Sequence, residues 1–391
     1  MVIWTRVTPA TAVLDVEGSW EISEYEDFHE VAARGAFSTS PSNDYTVKID
    51  VQGLQPARYY YYRFHALDAT SPTGRTKTAP AGDTDSLKFA VVSCSNWEFG
   101  YFNAYDCIAD REVDVVLHLG DFIYEYGTGQ YGDSTIGRTV LPPFEIISLR
   151  DYRTRYSQYR LDEGLRNLSA RHPMISIWDD HEIANNSYSE GAQNHQDDEG
   201  PYSDRREAAK KAYYEWLPIR EGGKHYRSFN YGSLAEVIML DERLEGRTRP
   251  PESTSDTSYA SPDRHMLGEE QLSWFETRLI DSTAQWKVIG NQVIFSEVDQ
   301  SRVYPKSPRN LDSWDGYPAE RKRIVAYIRD KRIDDIIFVT GDTHASWAFE
   351  VAPDPMHSYD AMTGVRLPLP LSLAPPVCRR RTGMNMKPQI R

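Results

Sequence analysis

Up to about residue 80 the chain alternates or clusters β-branched and aromatic residues between Gly, Pro, Ser and Asn, as in VIWTRV, AVLDVEGSWEI and YTVKIDV. A period of two of this kind predicts half-buried strands. The stretch GLQPARYYYYRFHAL sets a Leu-x-Pro turn ahead of a Tyr-rich strand, the arrangement of a tyrosine corner, in which a Tyr hydroxyl bonds back to upstream backbone. Residues 1–80 therefore read as a small all-β sandwich. The chain enters it without preamble at MVIWTRV, which reads as a domain truncated at its start. The Ser-, Thr-, Gly- and Pro-rich residues 70–85 read as the linker that leaves it.

From Leu87 the pattern changes to short continuous apolar runs: LKFAVVS, VDVVLHL, MISIW, AEVIML, WKVIG and DDIIFVT. Runs apolar on both faces predict strands buried between layers of helices, hence an α/β domain over residues 86–365. Two intervening segments have helical spacing. SDRREAAKKAYYEWLP predicts a helix capped by Ser203 or Asp204 and stopped by Pro218, and LGEEQLSWFETRL puts Leu267, Leu272, Phe275 and Leu279 on one face. Residues 128–160 and 185–203, polar and Tyr-rich, read as long loops or short helices over the rim. Residues 366–391 carry six Lys or Arg, five Pro and no acidic residue, and read as an irregular basic tail.

Composition narrows the functional classes. With 391 residues and a net charge of −14 the chain lacks the basic face that nucleic-acid binding needs. No run approaches the roughly 18 apolar residues of a membrane span. The odd count of 3 Cys cannot form a disulfide scaffold.

The chemistry lies at the ends of the apolar runs. They lead, in chain order, into Cys94; into Asp121 with Tyr124; into Asp179–Glu182; into Asp241 and Glu242; into Asn291 and Gln292; and into Asp342 and His344. In open α/β sheets ligands bind beyond the carboxyl ends of strands, where loops aim side chains into one crevice. A single Asp after a strand is usually a turn residue or helix cap, but a set of thiol, phenol, carboxylates, amides and imidazole reads as a metal site. Carboxylate and amide oxygens suit hard cations, imidazole suits transition metals, and thiolate suits oxidised iron. A phenol, with an ordinary pKa of about 10, becomes a good ligand beside a strongly acidic ion such as ferric iron. Asp121, in a tight Gly-Asp turn, can bridge two ions, a geometry that favours phosphate chemistry.

SCS at 93–95, HLGDFIYEYG at 118–127, WDDHEIANNSY at 178–188, LGEEQLSWF at 267–275, GNQVIF at 290–295 and TGDTH at 340–344 together resemble the alkaline phosphatase D family, a branch of the metallophosphoesterases similar to purple acid phosphatases. WTRV and GLQPARYYYYRF also resemble that family's N-terminal β domain. The resemblance covers about residues 1–360. It implies an α/β, four-layer αββα metallophosphoesterase-type sandwich preceded by an immunoglobulin/fibronectin-like sandwich, and hydrolysis of phosphoric mono- or diesters by metal-activated hydroxide or oxide. It implies Fe3+ held by Cys94, Asp121, Tyr124 and His344, with Asp121 bridging. One or two divalent ions, Ca2+ on the chemistry of the donors, would take Asp180, Asp342 and Asn291. His181 would serve the leaving oxygen, Asn185 would assist it, and Asn186 and Arg155 would contact substrate phosphate. A periplasmic or extracellular location also follows from the resemblance.

Other readings compete residue by residue. Cys94 can be a buried core thiol, and Tyr124 can be packing in a chain with 25 Tyr. His118, inside its strand, reads as a core histidine, and Glu182 as a residue that orients its neighbours. The alternative for the whole chain is a catalytically inactive binder of a surface polymer with a degenerate metallophosphoesterase domain.

Overall fold

The computed structural model describes residues 1–11, 14–302 and 304–351. Residues 366–391, read above as a basic tail, and the expected end of the α/β region at 365 lie outside them. Among the described residues of the first 80, the secondary structure is strand with one short 3-10 turn. The strands are Val2–Arg6 (β1), Val16–Ser23 (β2), Ala33–Thr39 (β3), Thr46–Asp50 (β4), Tyr59–Ala66 (β5), Ala69–Thr70 (β6) and Gly74–Lys77 (β7). β1 pairs with β4, and β3, β2, β5 and β6 form a second antiparallel sheet in that order, with β7 also on β5. Ile3, Ile22, Phe37, Val47, Tyr60 and Phe64 come from both sheets and form one core cluster. Tyr60 Oη accepts from Gln55 N at 3.0 Å, the backward reach expected from the Leu-x-Pro turn.

All six apolar runs become strands: Phe89–Val92 (β8), Val115–His118 (β9), Met174–Ser176 (β10), Ala235–Met239 (β12), Trp286–Asn291 (β13) and Ile336–Thr340 (β14). A seventh strand, Arg227–Tyr231 (β11), was not visible in the pattern. β10, β9 and β8 form a parallel three-stranded sheet. β11, β12, β13 and β14 form a second sheet that is parallel except for edge strand β11. Val115, Leu117 and Ile175 of the first sheet share a cluster with Val237, Met239, Val288 and Val339 of the second, so the two sheets face each other.

Among the described residues six helices cover the outer faces: Asn103–Ala109 (α1), Leu149–Tyr159 (α2), Glu163–Arg171 (α3), Tyr202–Trp216 (α4), Gly268–Asp281 (α5) and Pro318–Lys331 (α6). Val116 clusters with Tyr152, Leu168 and Tyr213 of α2, α3 and α4. Ile238 and Ile289 cluster with Leu272, Phe275 and Ile324 of α5 and α6. The cap expected for α4 is corrected: Pro201 holds the N-cap position with no side-chain bond, so Ser203 and Asp204 lie inside the first turn. Its expected stop is met, the helix ending one residue before Leu217 and Pro218. The rim segment 128–160 contains α2, which starts on a Ser148–Asp151 capping box. No described helix is long and apolar enough to cross a membrane.

Candidate metal centre

Each parallel strand hands its following loop to the same end of the sheets. Cys94 N donates to Gly120 O (3.1 Å) and Ser95 N to Asp121 O (3.0 Å), so the loops after β8 and β9 are laced together. Gly120, at φ +105°, rests on Asp179 from the loop after β10, and a Cβ there would collide with the Asp179 backbone and Cβ. Glu182 closes the third edge: its carboxylate accepts from Asp121 N (3.1 Å), Phe122 N (2.5 Å) and Asp179 N (2.8 Å). Cys94, Asp121, Asn186, Asp342 and His344 all take positive φ, between +49° and +62°. Left-handed backbone is uncommon for non-Gly residues, and such strain concentrates where side chains must be aimed.

Two groups of ligand atoms result. Those of Cys94, Asp121 and His344 lie within 4.8 Å of one another, as do those of Asp121, Asp180 and His181. Asp121 belongs to both. Tyr124, from the loop after β9, donates to Asp121 Oδ2 at 3.2 Å, and its hydroxyl lies 3.0 Å from His344 Nε2. The other nitrogen, His344 Nδ1, lies 3.1 Å from Tyr131 Oη. Asp180 accepts from His181 N (3.0 Å) and Asn186 N (2.6 Å). Asp342 Oδ1 and Asp180 Oδ1 lie 3.6 and 3.7 Å from Arg243 Nη2.

The donor set fits cations. Asp121 Oδ1 is buried with no hydrogen-bond partner, an arrangement that costs free energy unless a cation takes the lone pairs. Burial, together with the charges of Asp179, Asp180 and Glu182, drives the Asp121 carboxyl far above the usual carboxylate range. Burial and the Asp121 charge likewise push the Cys94 thiol and the Tyr124 phenol well up. In the absence of positive charge these groups keep their protons, and bound cations reverse that preference. Asp180 differs: burial works to raise it, but Arg243 and His181 hold it down to about 2.

His181 is held by a residue that the sequence reading did not single out. Fully buried Glu125 places Oε2 2.7 Å from His181 Nδ1, and its Oε1 accepts from Asn185 N (2.7 Å) and Asn194 Nδ2 (2.8 Å). Burial opposes the imidazolium, but Asp180, Glu125 and Asp121 together raise the His181 pKa well above its ordinary value. Arg243 was also missed. Its guanidinium is fully buried, with Nε on Asp179 Oδ1 and Nη1 2.6 Å from Asp312 Oδ2. Glu125 had a readable signal, lying within GDFIYE, and Arg243 directly follows the strand-end pair Asp241 and Glu242, whereas Asp312 lies in an unremarkable segment.

The remaining expected residues divide. Asn185 and Asn186 are half-buried beside the group, and both amide nitrogens donate to Gln193 Oε1 at 2.8 Å. Asn291 is fully buried; its Oδ1 accepts from Trp314 Nε1 (3.1 Å), and its Nδ2 donates to Val293 O and Thr340 Oγ1, so its amide is committed to fold contacts. Arg155 as a substrate contact is corrected. Its guanidinium is fully buried and donates to the carbonyls of Tyr124, Tyr126, Leu141, Pro142 and Phe144, which pins the 124–126 and 141–144 segments rather than facing solvent. His118 is the core histidine expected, and burial lowers its pKa to about 3.

This is a mixed α/β protein whose strand-end loops gather, around one shared carboxylate, two groups of side chains that could hold metal. The chain belongs to the PhoD-like phosphatase family: that family's model matches residues 89–368, and the model of the PhoD-like phosphatase N-terminal domain matches residues 1–80. It is 36% identical over 380 residues to alkaline phosphatase D of Bacillus subtilis (strain 168), an alignment covering 90% of this chain and 64% of the relative. The chain thus spans less than two thirds of that protein's length. The solved structure of PhoD superposes with a TM-score of 0.83 at 37% identity, over 90% of this chain and 71% of that one.

Proposed function

We propose that this chain hydrolyses phosphoric esters, mono- or diesters, at the group centred on Asp121. The observation that carries the proposal is Asp121, which belongs to both ligand groups and whose Oδ1 is buried without a hydrogen-bond partner. Family membership supports it. The proposed holders of ferric iron are Cys94, Asp121, Tyr124 and His344; those of a divalent ion, calcium on the hardness of the donors, are Asp121, Asp180 and Asp342. Bound there, the cations would polarise phosphoryl oxygens and make water acidic enough to attack near neutral pH.

The chain's own residues supply the rest. With Nδ1 engaged by Glu125, His181 has Nε2 free to give a proton to the leaving oxygen as the P–O bond breaks and water oxygen bonds to phosphorus. The Glu125 carboxylate on Nδ1 favours the protonated ring that this role needs. Asn185 and Asn186, gathered by Gln193, are proposed to orient phosphate oxygens. The division into residues 1–80 and 86–365, the sandwich form of the first and the αββα layering of the second form part of this reading, supported by the shared core clusters. Membership of an exported family would suit a periplasmic or extracellular setting. The inactive-binder alternative is not favoured, because the chain matches the PhoD-like phosphatase model and keeps side chains that could hold metal around Asp121.

The test is hydrolysis of a chromogenic phosphomonoester and a chromogenic diester by iron- and calcium-loaded protein. Turnover of either supports the proposal, and turnover of neither contradicts it.

A further inference from the structure

His344 is exposed, sits at φ +49° two residues after Asp342 at φ +62°, and belongs to no helix or strand. Its backbone does not fix where its ring points. The hydrogen bonds to its ring come from two tyrosines: Tyr124 Oη lies 3.0 Å from Nε2, and Tyr131 Oη lies 3.1 Å from Nδ1. Nε2 therefore faces the Asp121 group, and Tyr131 grips the far nitrogen. The Tyr131 ring adds a near-parallel contact with His344 (29°, centroids 6.3 Å) and another with His181 (17°, 6.2 Å).

Tyr131 is itself held firmly, although it lies in a segment without helix or strand. Asn96 Nδ2 donates to Tyr131 O at 3.1 Å, and Glu98 accepts from Gly129 N at 3.0 Å. Asn96 and Glu98 form the 3-10 turn just after Cys94, with Asn96 as its cap. Phe99 of the same turn packs edge-on against Tyr131 at 5.5 Å. The loop that carries Cys94 thus also carries the mount for Tyr131, and through it the orientation of His344.

We infer that Tyr131 is a positioning residue for the metal centre, its hydroxyl accepting the Nδ1 proton of His344 so that Nε2 presents its lone pair to the ion. This rests on the proposed ligand role of His344. A ligating imidazole whose distal N–H is bonded is held in one tautomer and one orientation, and loss of such a partner typically costs about 10–100-fold in metal affinity or activity. The mount differs from the usual carboxylate or backbone carbonyl: it is a neutral phenol on a half-exposed rim segment.

Tyr131→Phe tests it, because it keeps the ring, its stacking and the segment's backbone bonds while removing only the hydroxyl. Full-length wild type and variant are loaded with ferric iron and challenged with a competing chelator, and the decay of the visible Tyr124-to-iron absorption band is followed. The expected result is native far-UV circular dichroism with iron released about 10–100-fold faster from the variant. Release at the wild-type rate overturns the inference while leaving the metal-centre reading intact. Wild-type protein that takes up no iron overturns both together. Tyr131→Leu serves as the second variant: because the hydroxyl is the operative group, it should release iron about as fast as Tyr131→Phe, and markedly faster release would assign the effect to the ring and overturn the inference.

Discussion

His181 and Arg155 show how differently two charged residues of one neighbourhood can be employed. His181 lies beside the buried carboxylate of Glu125, hydrogen-bonded to it through Nδ1, so the pair favours an imidazolium that can give its proton to a leaving group. Glu125→Gln removes that charge and should lower the His181 pKa. The prediction is an alkaline limb of the pH–rate profile shifted to lower pH, with kcat at neutral pH reduced about 10–100-fold. An unshifted profile would argue against the proton-donor role. Arg155 spends its fork on five carbonyls inside the fold. Arg155→Met should therefore cost about 3 kcal/mol or more in chemical denaturation through unpaired buried carbonyls, while the folded fraction keeps the wild-type KM. A raised KM with unchanged stability would restore the substrate-contact reading. Sequence alone could not separate the two residues, because a basic side chain on a rim helix reads the same whether it points outward or inward.

At the scale of elements, the strand-end loops were the most legible feature. Uninterrupted apolar runs followed by Cys, Asp or Asp-x-His marked both the strands and their functional ends. β3 and β11 escaped notice for physical reasons, and β7 forms inside residues 70–85, read from the sequence as the linker. In β3, Gly35 lies beneath Trp20, and Phe37 covers Gly18 on the neighbouring strand, so half of each pair is a glycine, which carries no strand signal. β11 is an antiparallel edge whose burial is only partial, and its sequence RSFNY lacks the apolar run of its partners. The loop after β9 also depends on a residue whose role the sequence could not show. Gly120 combines φ +105° with close contact to Asp179, so Gly120→Ala should separate the two loops. The expected outcome is loss of iron binding with a melting temperature several degrees lower, about 1–3 kcal/mol of backbone strain. Retention of both metal content and melting temperature would show that the loops tolerate separation.

For the whole molecule, the burial of so many carboxyls makes metal and stability a single problem. Burial, chiefly, raises Asp179 and Glu182 to about 8 and Asp342 to about 7. Their unfolded values are about 4. A raised acid binds more protons folded than unfolded, so its stabilising contribution is complete below about pH 4 and is lost as pH climbs through 7 to 8. Asp180, held down to about 2, acts in the opposite sense but only in acid. Metal-free protein should accordingly lose melting temperature between about pH 5 and pH 8, and saturating metal should restore it, by about 2.7 kcal/mol at a hundred times Kd. A metal-free melting temperature that rises over that range would contradict this assignment of charge. The overall acidity of the chain, −14, pointed away from nucleic acid but could not reveal that its acids converge on buried arginines and a shared centre. That convergence is a property of the folded state.

Elemental analysis of purified wild type beside Asp121→Ala tests the central claim most directly, because Asp121 alone belongs to both ligand groups. The account predicts about one iron per wild-type chain, with divalent metal beside it, and loss of both from the variant without loss of fold. Iron retained at wild-type level in folded Asp121→Ala, or absent from the wild type after loading, would contradict it.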